Sequence, residues 1–299
     1  MLLAMAGSDR WRKLLTGWGV TRRVVRRFIP GETLDDAAGA ARRVNAAGMH
    51  ATLNPLGENV ATAEDAAAAT DIYVEIIERI ASQGLDSGVS VKLTMLGLDL
   101  DAGLARANLR RVLSAAAPRG IFVRVDMEAS PYVDRTLALI AELRQEFPAL
   151  GAVIQSYLRR SPGDVDGLID AGTAIRLVKG AYAEPEEVAF PGKQEVDAAF
   201  RALLDRLALP DARHVPVAVA SHDPAMLEHA RALIEKHSLE RWEFQMLFGI
   251  GKSWQERLAG AGLPVRIYIS YGPAWYPWFM RRLAERPANL GFFFRHLLG

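Results

Sequence analysis

Two adjacent arginines, Arg281 and Arg282, head a stretch otherwise rich in aromatic and aliphatic residues, Trp275-Tyr-Pro-Trp-Phe-Met280 on one side and Leu283-Ala284 on the other. Neighbouring positions of a helix point about 100° apart, so both guanidinium forks reach one spot only where something anionic lies between them. Arginine presents planar donors that grip a carboxylate bidentately and does not lose its charge. The pair therefore reads as a clamp for a small acidic metabolite. The competing reading is an exposed helix whose arginines pair with Glu285, three and four residues on.

Composition narrows the company such a clamp keeps. The chain has 299 residues, 50% of them hydrophobic, enough for one large core or two modest ones. Thirty-six Lys plus Arg against 35 Asp plus Glu leave a formal charge of +1, so no overall field favours nucleic acid. The absence of cysteine excludes disulfides, thiolate zinc sites, iron–sulfur clusters and a thiol nucleophile, and is compatible with a reducing cytoplasm. No apolar run approaches the roughly 18 residues of a membrane span, so a soluble protein is expected. One local bias stands out: residues 10–28 carry seven Lys or Arg and no acid among apolar residues. Such a segment is either a solvated helix face or a surface that rests on anionic lipid.

Positioning the chemistry falls to an alternating chain of strands and helices. Two N-terminal helices are expected, at Asp9 to Phe28 and Leu34 to Ala47, so that residues 1–48 form a helical extension and 49–299 the catalytic unit. Eight strand-like runs follow: His50 to Asn54, Val89 to Leu93, Phe122 to Met127, Val153 to Tyr157, Ile175 to Lys179, Val215 to Ser221, Glu243 to Phe248 and Val265 to Ser270. Thr62-Ala-Glu-Asp, Ser130-Pro131, Ser161-Pro162 and Asp223-Pro224 supply capping side chains or early prolines where the intervening helices should begin. Eight strands each followed by a helix predict an α/β fold of the (β/α)8 TIM-barrel type, with an open doubly wound sheet as the alternative.

A barrel of this kind gathers its chemistry at the C-terminal ends of its strands. Those ends hold Glu58 in the loop after the first strand, then Lys92, Asp126-Met127-Glu128 and Gln155. The later strands add Arg176 and Lys179 before Gly180-Ala181-Tyr182, Ser221-His222-Asp223, Leu247 and Tyr268. Cations with acidic partners converging on one mouth describe a site for an anion. Metal chemistry is poorly supported, because the six histidines include no His-x-His and no His-x-x-x-His. Gly249-Ile-Gly251-Lys252-Ser253 looks like the tail of a phosphate loop, but Met246 stands where the first glycine belongs, and no strand leads into G-x-G-x-x-G.

Val91-Lys92-Leu93-Thr94, Asp126-Met-Glu128, Gln155, Arg176-Leu-Val-Lys179-Gly180-Ala181-Tyr182, Glu243-Phe-Gln-Met-Leu247-Phe-Gly249, and Tyr268 followed by Arg281-Arg282 and Glu285 together resemble the proline dehydrogenase family, in its monofunctional bacterial form. The resemblance runs from about His50 to the C-terminus. It implies a distorted (β/α)8 barrel that holds FAD noncovalently, oxidises L-proline to Δ1-pyrroline-5-carboxylate and passes the electrons to a membrane quinone. Arg281, Arg282 and Lys92 would bind the proline carboxylate. Asp126 and Arg176 would be catalytic, Arg176 beside the flavin N5 edge. Tyr268, Tyr182 and Leu247 would wall the substrate ring. Met127, Gln155, Lys179, Gly180, Ala181, Ser221 and His222 would contact the cofactor, and Glu58 would pair with Arg282 as a gate. Three residues before the first arginine the family commonly has tyrosine, whereas this chain has Trp278. The implied location is cytoplasmic, and a peripheral contact at the inner face of the plasma membrane would bring the enzyme to its quinone.

Two rival readings remain on the barrel alone. Lys92 or Lys179 could form a Schiff base, as in aldolases of this architecture, with the arginines holding a keto-acid. Alternatively the site binds a carboxylate without turnover, since fold does not fix function.

Overall fold

Residues 27–273 and 275 are described in this computed structural model of the protein. The eight strands are β1 His50–Pro55, β2 Ser87–Val91, β3 Val123–Val125, β4 Leu150–Gln155, β5 Ile175–Val178, β6 Val217–Ala220, β7 Trp242–Leu247 and β8 Val265–Tyr271. Every neighbouring pair is parallel, and β1 pairs with β8, so the sheet closes into a barrel in sequence order. The closure excludes the open doubly wound sheet.

The helices among the described residues are α1 Leu34–Ala46, α2 Ala63–Ser82, α3 Ala102–Ala116, α4 Val133–Arg144, α5 Ser161–Asp170, α6 Lys193–Leu207, α7 Pro224–His237 and α8 Lys252–Gly260. Helix α1 precedes the barrel and packs on β1 and β8. Its start is fixed by a capping box, with the Thr33 hydroxyl accepting from Asp36 N at 3.2 Å and the Asp36 carboxylate accepting from Thr33 N at 3.1 Å. Thr62 caps α2 and Asp223 caps α7, as their sequences predict. The other two predicted starts differ. Ser130-Pro131 opens a short 3-10 turn before α4, and the Ser130 hydroxyl donates instead to Glu184 at 2.6 Å. Ser161 is already inside α5, with its hydroxyl on the Gln155 carbonyl at 2.6 Å.

Each strand separates two environments. Outward residues such as Leu53, Val123, Val125, Ile175, Leu177, Phe244, Met246, Ile267 and Ile269 are buried in one continuous apolar layer against the helices. Inward residues are largely polar: Thr52, Asn54, Ser90, Arg124, Arg176, Gln245 and Ser270 are all buried. The core that stabilises the fold therefore lies between barrel and helices, where apolar burial contributes about 25 cal/mol per Å². The barrel's interior is given over to charge.

Strand β2 ends at Val91, two residues earlier than its apolar run predicts. The cause is Tyr73 of α2, whose hydroxyl accepts the backbone N–H of Lys92 at 3.3 Å and so removes that donor from the sheet. Burial pushes the Tyr73 pKa well above its ordinary value, keeping the hydroxyl neutral. It donates in turn to the Met95 sulfur at 3.5 Å.

Candidate active site

Residues in register on parallel strands point to the same side of the sheet. Thr52 pairs with Tyr268, Ser90 with Arg124, Arg176 with Ala218, Ala220 with Gln245, and Leu247 with Tyr268. Those positions share the interior. Two residues beyond Ser90 and Arg124, Lys92 and Asp126 continue the same inward rows to the mouth.

Asp126 is the junction there. Its Oδ1 accepts from Arg176 Nη1 at 2.7 Å and its Oδ2 from the Tyr268 hydroxyl at 2.6 Å. The Arg176 guanidinium lies over the Tyr268 ring, 5.2 Å from its centroid. Arg176 and Asp126 are only 5% and 15% exposed, so each charge depends on the other, and removing one partner of such a pair typically costs about 3–5 kcal/mol. Burial first, and then the facing Asp126 carboxylate, push the Tyr268 pKa well up, so its hydroxyl remains a donor.

A polar chain runs on from Arg176 through the barrel. Arg176 Nε donates to the Gln245 carbonyl oxygen, and the Gln245 amide donates to Glu243, which also accepts from Arg266 Nε at 3.0 Å. Burial alone would raise the Glu243 pKa, but Arg266 and the hydrogen bonds outweigh it and hold the carboxyl below its usual range. Gln245 thus has its orientation set from both ends. Neither Gln245, Glu243 nor Arg266 carries a role in the sequence reading, although the alternation Glu243-x-Gln245-x-Leu247 places the first two on the inward row, and Arg266 is in register with Gln245.

Lys92 is half-buried, and its ammonium makes no ion pair or hydrogen bond among the described residues. Beside it Glu128 accepts from the Thr94 hydroxyl at 2.6 Å and from Thr94 N at 3.1 Å. Burial raises the Glu128 pKa, partly offset by those two bonds and by Lys92. Gln155 is buried and spends its amide on the Glu128 carbonyl at 2.9 Å. Met127 joins a small apolar cluster with Val133, Val153, Tyr157 and Leu158.

Past β5, Lys179 donates to both Asp197 of α6 and Asp223 at the start of α7. Gly180 has φ +123°, and a Cβ there would lie 2.3 Å from the Tyr157 ring, so both the backbone and the packing demand glycine. Ala181 is exposed and Tyr182 half-buried. The segment they begin is fastened to the barrel by Phe190 N donating to the Tyr157 carbonyl at 2.8 Å and by Glu184 on Ser130. Ser221 Oγ accepts from Asp223 N at 3.1 Å, and His222 Nε2 accepts from Leu247 N at 2.9 Å, which ties the ends of β6 and β7 together. Glu58 stands exposed in the loop after β1. Arg281, Arg282, Glu285, Trp278 and the basic stretch up to residue 26 lie outside the described residues.

Direct contact thus unites Asp126, Arg176 and Tyr268, with Lys92 on the same inward face. Among the described residues no group of three or more His, Cys, Asp or Glu could hold a metal ion, and no helix is long and apolar enough to cross a membrane.

Comparison with known proteins agrees on one family. Residues 37–295 match the family model described as proline dehydrogenase. Proline dehydrogenase 1 of Bacillus subtilis (strain 168) is 39% identical over 300 residues, covering 100% of this chain and 98% of the relative. The proline dehydrogenase of Deinococcus radiodurans is 36% identical over 283 residues, 91% of this chain and 89% of the relative. Among solved structures, proline utilization A (PutA) from Bdellovibrio bacteriovorus, inactivated by N-propargylglycine, superimposes with a TM-score of 0.83 at 25% identity, over 94% of this chain and 35% of that one. A closed barrel, matched over nearly its whole length by these relatives, places the chain in the proline dehydrogenase family.

Proposed function

We propose that the chain oxidises L-proline to Δ1-pyrroline-5-carboxylate with noncovalently held FAD, and that a membrane quinone takes the electrons. The observation that carries this reading is the cluster of Asp126, Arg176 and Tyr268, with the Lys92 ammonium on the same inward face and without an ion pair among the described residues. Lys92, joined by Arg281 and Arg282, would hold the substrate carboxylate and so fix the ring, which makes the reaction effectively unimolecular. Leu247, Tyr182 and the Tyr268 ring would cover that ring with apolar surface, excluding water and disfavouring an added hydroxyl. Glu58, paired with Arg282, would close over the site.

The residues at the ends of β4 to β6 fit FAD in their chemistry. Gln155 keeps its Oε1, and Arg176 its Nη2 N–H groups, without partners among the described residues, offering an acceptor and fixed cationic donors. Met127, Ala181, Ser221 and His222 would contact the cofactor, with Lys179 beside them and the Gly180 backbone close by. When bound, FAD would supply the ring that accepts two electrons. Arg176 would favour the electron-rich form of that ring by its fixed charge, and Asp126 would keep Arg176 and Tyr268 in place.

Peripheral contact of a cytoplasmic enzyme with the inner membrane face, through the basic N-terminal stretch, would bring it to the quinone. The Schiff-base alternative has less support at Lys179, whose nitrogen is already engaged by Asp197 and Asp223, than at Lys92. The decisive experiment is the visible spectrum of the purified chain: a yellow protein that bleaches on adding L-proline, and much less with hydroxyproline. A colourless sample that takes up no FAD, or one trapped covalently by borohydride with substrate, sinks the reading.

A further inference from the structure

At the end of the barrel opposite the mouth lies a cavity of about 370 Å³, bounded by residues at or just before the strand starts, among them Gly88, Phe122, Ala174, Pro216, Trp242 and Pro264. Its charged lining is Arg124, Arg176, Arg241 and Arg266 against Glu240 and Glu243, four cations to two anions. Two of those cations are already matched, Arg266 by Glu243 at 3.0 Å and Arg176 by Asp126 at 2.7 Å. Glu240 and Arg241 are exposed.

Of the two cations left over, Arg124 is the buried one. It is 6% exposed and has no ion pair among the described residues. Its Nη1 donates to the Ala152 and Ala174 carbonyls at 3.0 and 3.3 Å, and its guanidinium lies 5.0 Å from the Phe122 ring centroid. Of the five N–H groups of an arginine, two are so used and three have no acceptor among the described residues. Glu243 and Asp126 attract Arg124 without contacting it, but each is already bonded to another arginine. A buried cation with no ion pair of its own is costly, and a guanidinium edge suits the paired oxygens of an oxyanion. Burial first, and then Arg176, pull the Arg124 pKa down to about 9, which leaves it cationic at neutral pH.

We propose that this basal cavity is a binding site for a small oxyanion, a carboxylate or a phosphate-like ion, held by the free donors of Arg124 with Arg241 at the entrance. Liquid water occupies about 30 Å³ per molecule, so the cavity has room for such an ion and several waters. The site lies at the end of the barrel opposite Lys92 and shares only Arg176 with the proposed catalytic cluster, and its thermal readout does not require the catalytic reading to hold.

The test compares the melting temperature of the full chain in chloride, acetate and phosphate at constant ionic strength. Phosphate or acetate at about 20 mM should raise Tm by roughly 2–4 °C over chloride, by mass action on the folded state. The stronger of the two identifies the class of oxyanion. Arg124→Met should abolish the rise and Arg241→Gln should reduce it. An equal rise in all three salts, or one that survives Arg124→Met, overturns the proposal. If Arg124→Met does not fold, crystals of the wild-type chain soaked in selenate decide: an anomalous peak beside Arg124 supports the site, and no peak there refutes it.

Discussion

The Tyr268 hydroxyl donates to Oδ2 of Asp126 at 2.6 Å while Arg176 takes Oδ1 at 2.7 Å, so one carboxylate orients both a ring and a guanidinium. Tyr268→Phe keeps the ring under Arg176 but leaves Oδ2 without its donor. An unsatisfied buried acceptor costs about 1–3 kcal/mol, and urea denaturation should show a loss of that size. Activity should fall as well, because Asp126 would keep only Arg176 of the two partners that orient it. A variant as stable and as active as the wild type would mean that the hydroxyl does not orient Asp126.

Lys92 differs from its neighbours in making no ion pair or hydrogen bond through its ammonium among the described residues, its one described partner being the Glu128 carboxylate it attracts without contact. Lys92→Met should therefore change unfolding free energy by no more than about 1 kcal/mol, the size of an exposed or loosely held charge pair. The KM for proline should rise by roughly 10–100-fold, the equivalent of about 1.5–3 kcal/mol for a hydrogen bond to a charged group. Arg281→Met and Arg282→Met should raise KM in the same way. Steady-state kinetics beside a melting curve make the check, and an unchanged KM in all three would remove the carboxylate clamp.

The barrel was legible because its strands are short apolar runs at regular spacing, each followed by a helical pattern, and the closed parallel sheet repeats them in order. The inward row that holds Lys92, Asp126, Arg176 and Tyr268 followed from that architecture, but Arg176 is the second residue of β5 and Tyr268 the middle residue of β8, so neither stands at a strand end as expected. What local pattern could not reveal was long-range partnership. Ser130 reads as a helix cap, yet its hydroxyl is claimed by Glu184, 54 residues later. Strand β2 stops at Val91 because a tyrosine 19 residues earlier takes the next N–H. Arg124 alternates with apolar residues, and nothing local shows that it bonds the carbonyls of Ala152 and Ala174, 28 and 50 residues on.

The Lys179 contacts carry a pH signature. Burial alone would raise the Asp223 pKa, but Lys179, the Ala225 N–H and Lys193 outweigh it. For Asp197 burial is likewise outweighed, by Lys179 and Lys193, so both folded-state pKa values lie below the ordinary one. The stability they contribute is fully present above the unfolded value, about 3.9, and is lost as pH falls through the lowered folded values. Lys179→Met should cost roughly 1.5–3 kcal/mol at neutral pH. Its deficit against the wild type should shrink steadily below about pH 4. Urea titrations at neutral and acid pH give the comparison, and a deficit independent of pH would mean that Lys179 acts through packing rather than charge.

Gly180 tests how tightly the segment after β5 is set. Its φ of +123° lies where side chains are strained, and a Cβ would meet the Tyr157 ring at 2.3 Å. That ring has little freedom to swing away, because Tyr157 is 8% exposed and its carbonyl is held by Phe190 N at 2.8 Å. Gly180→Ala must therefore move the backbone of the residues assigned to the cofactor, at a cost of at least about 1–3 kcal/mol from the dihedral strain alone. Flavin retained after dialysis should fall together with Tm. Ala181→Ser, one position on and exposed, should change stability by less than about 0.5 kcal/mol and keep its flavin. If the two variants behaved alike, the segment would be yielding to the added methyl group, and Gly180 would not be what holds it in register against Tyr157.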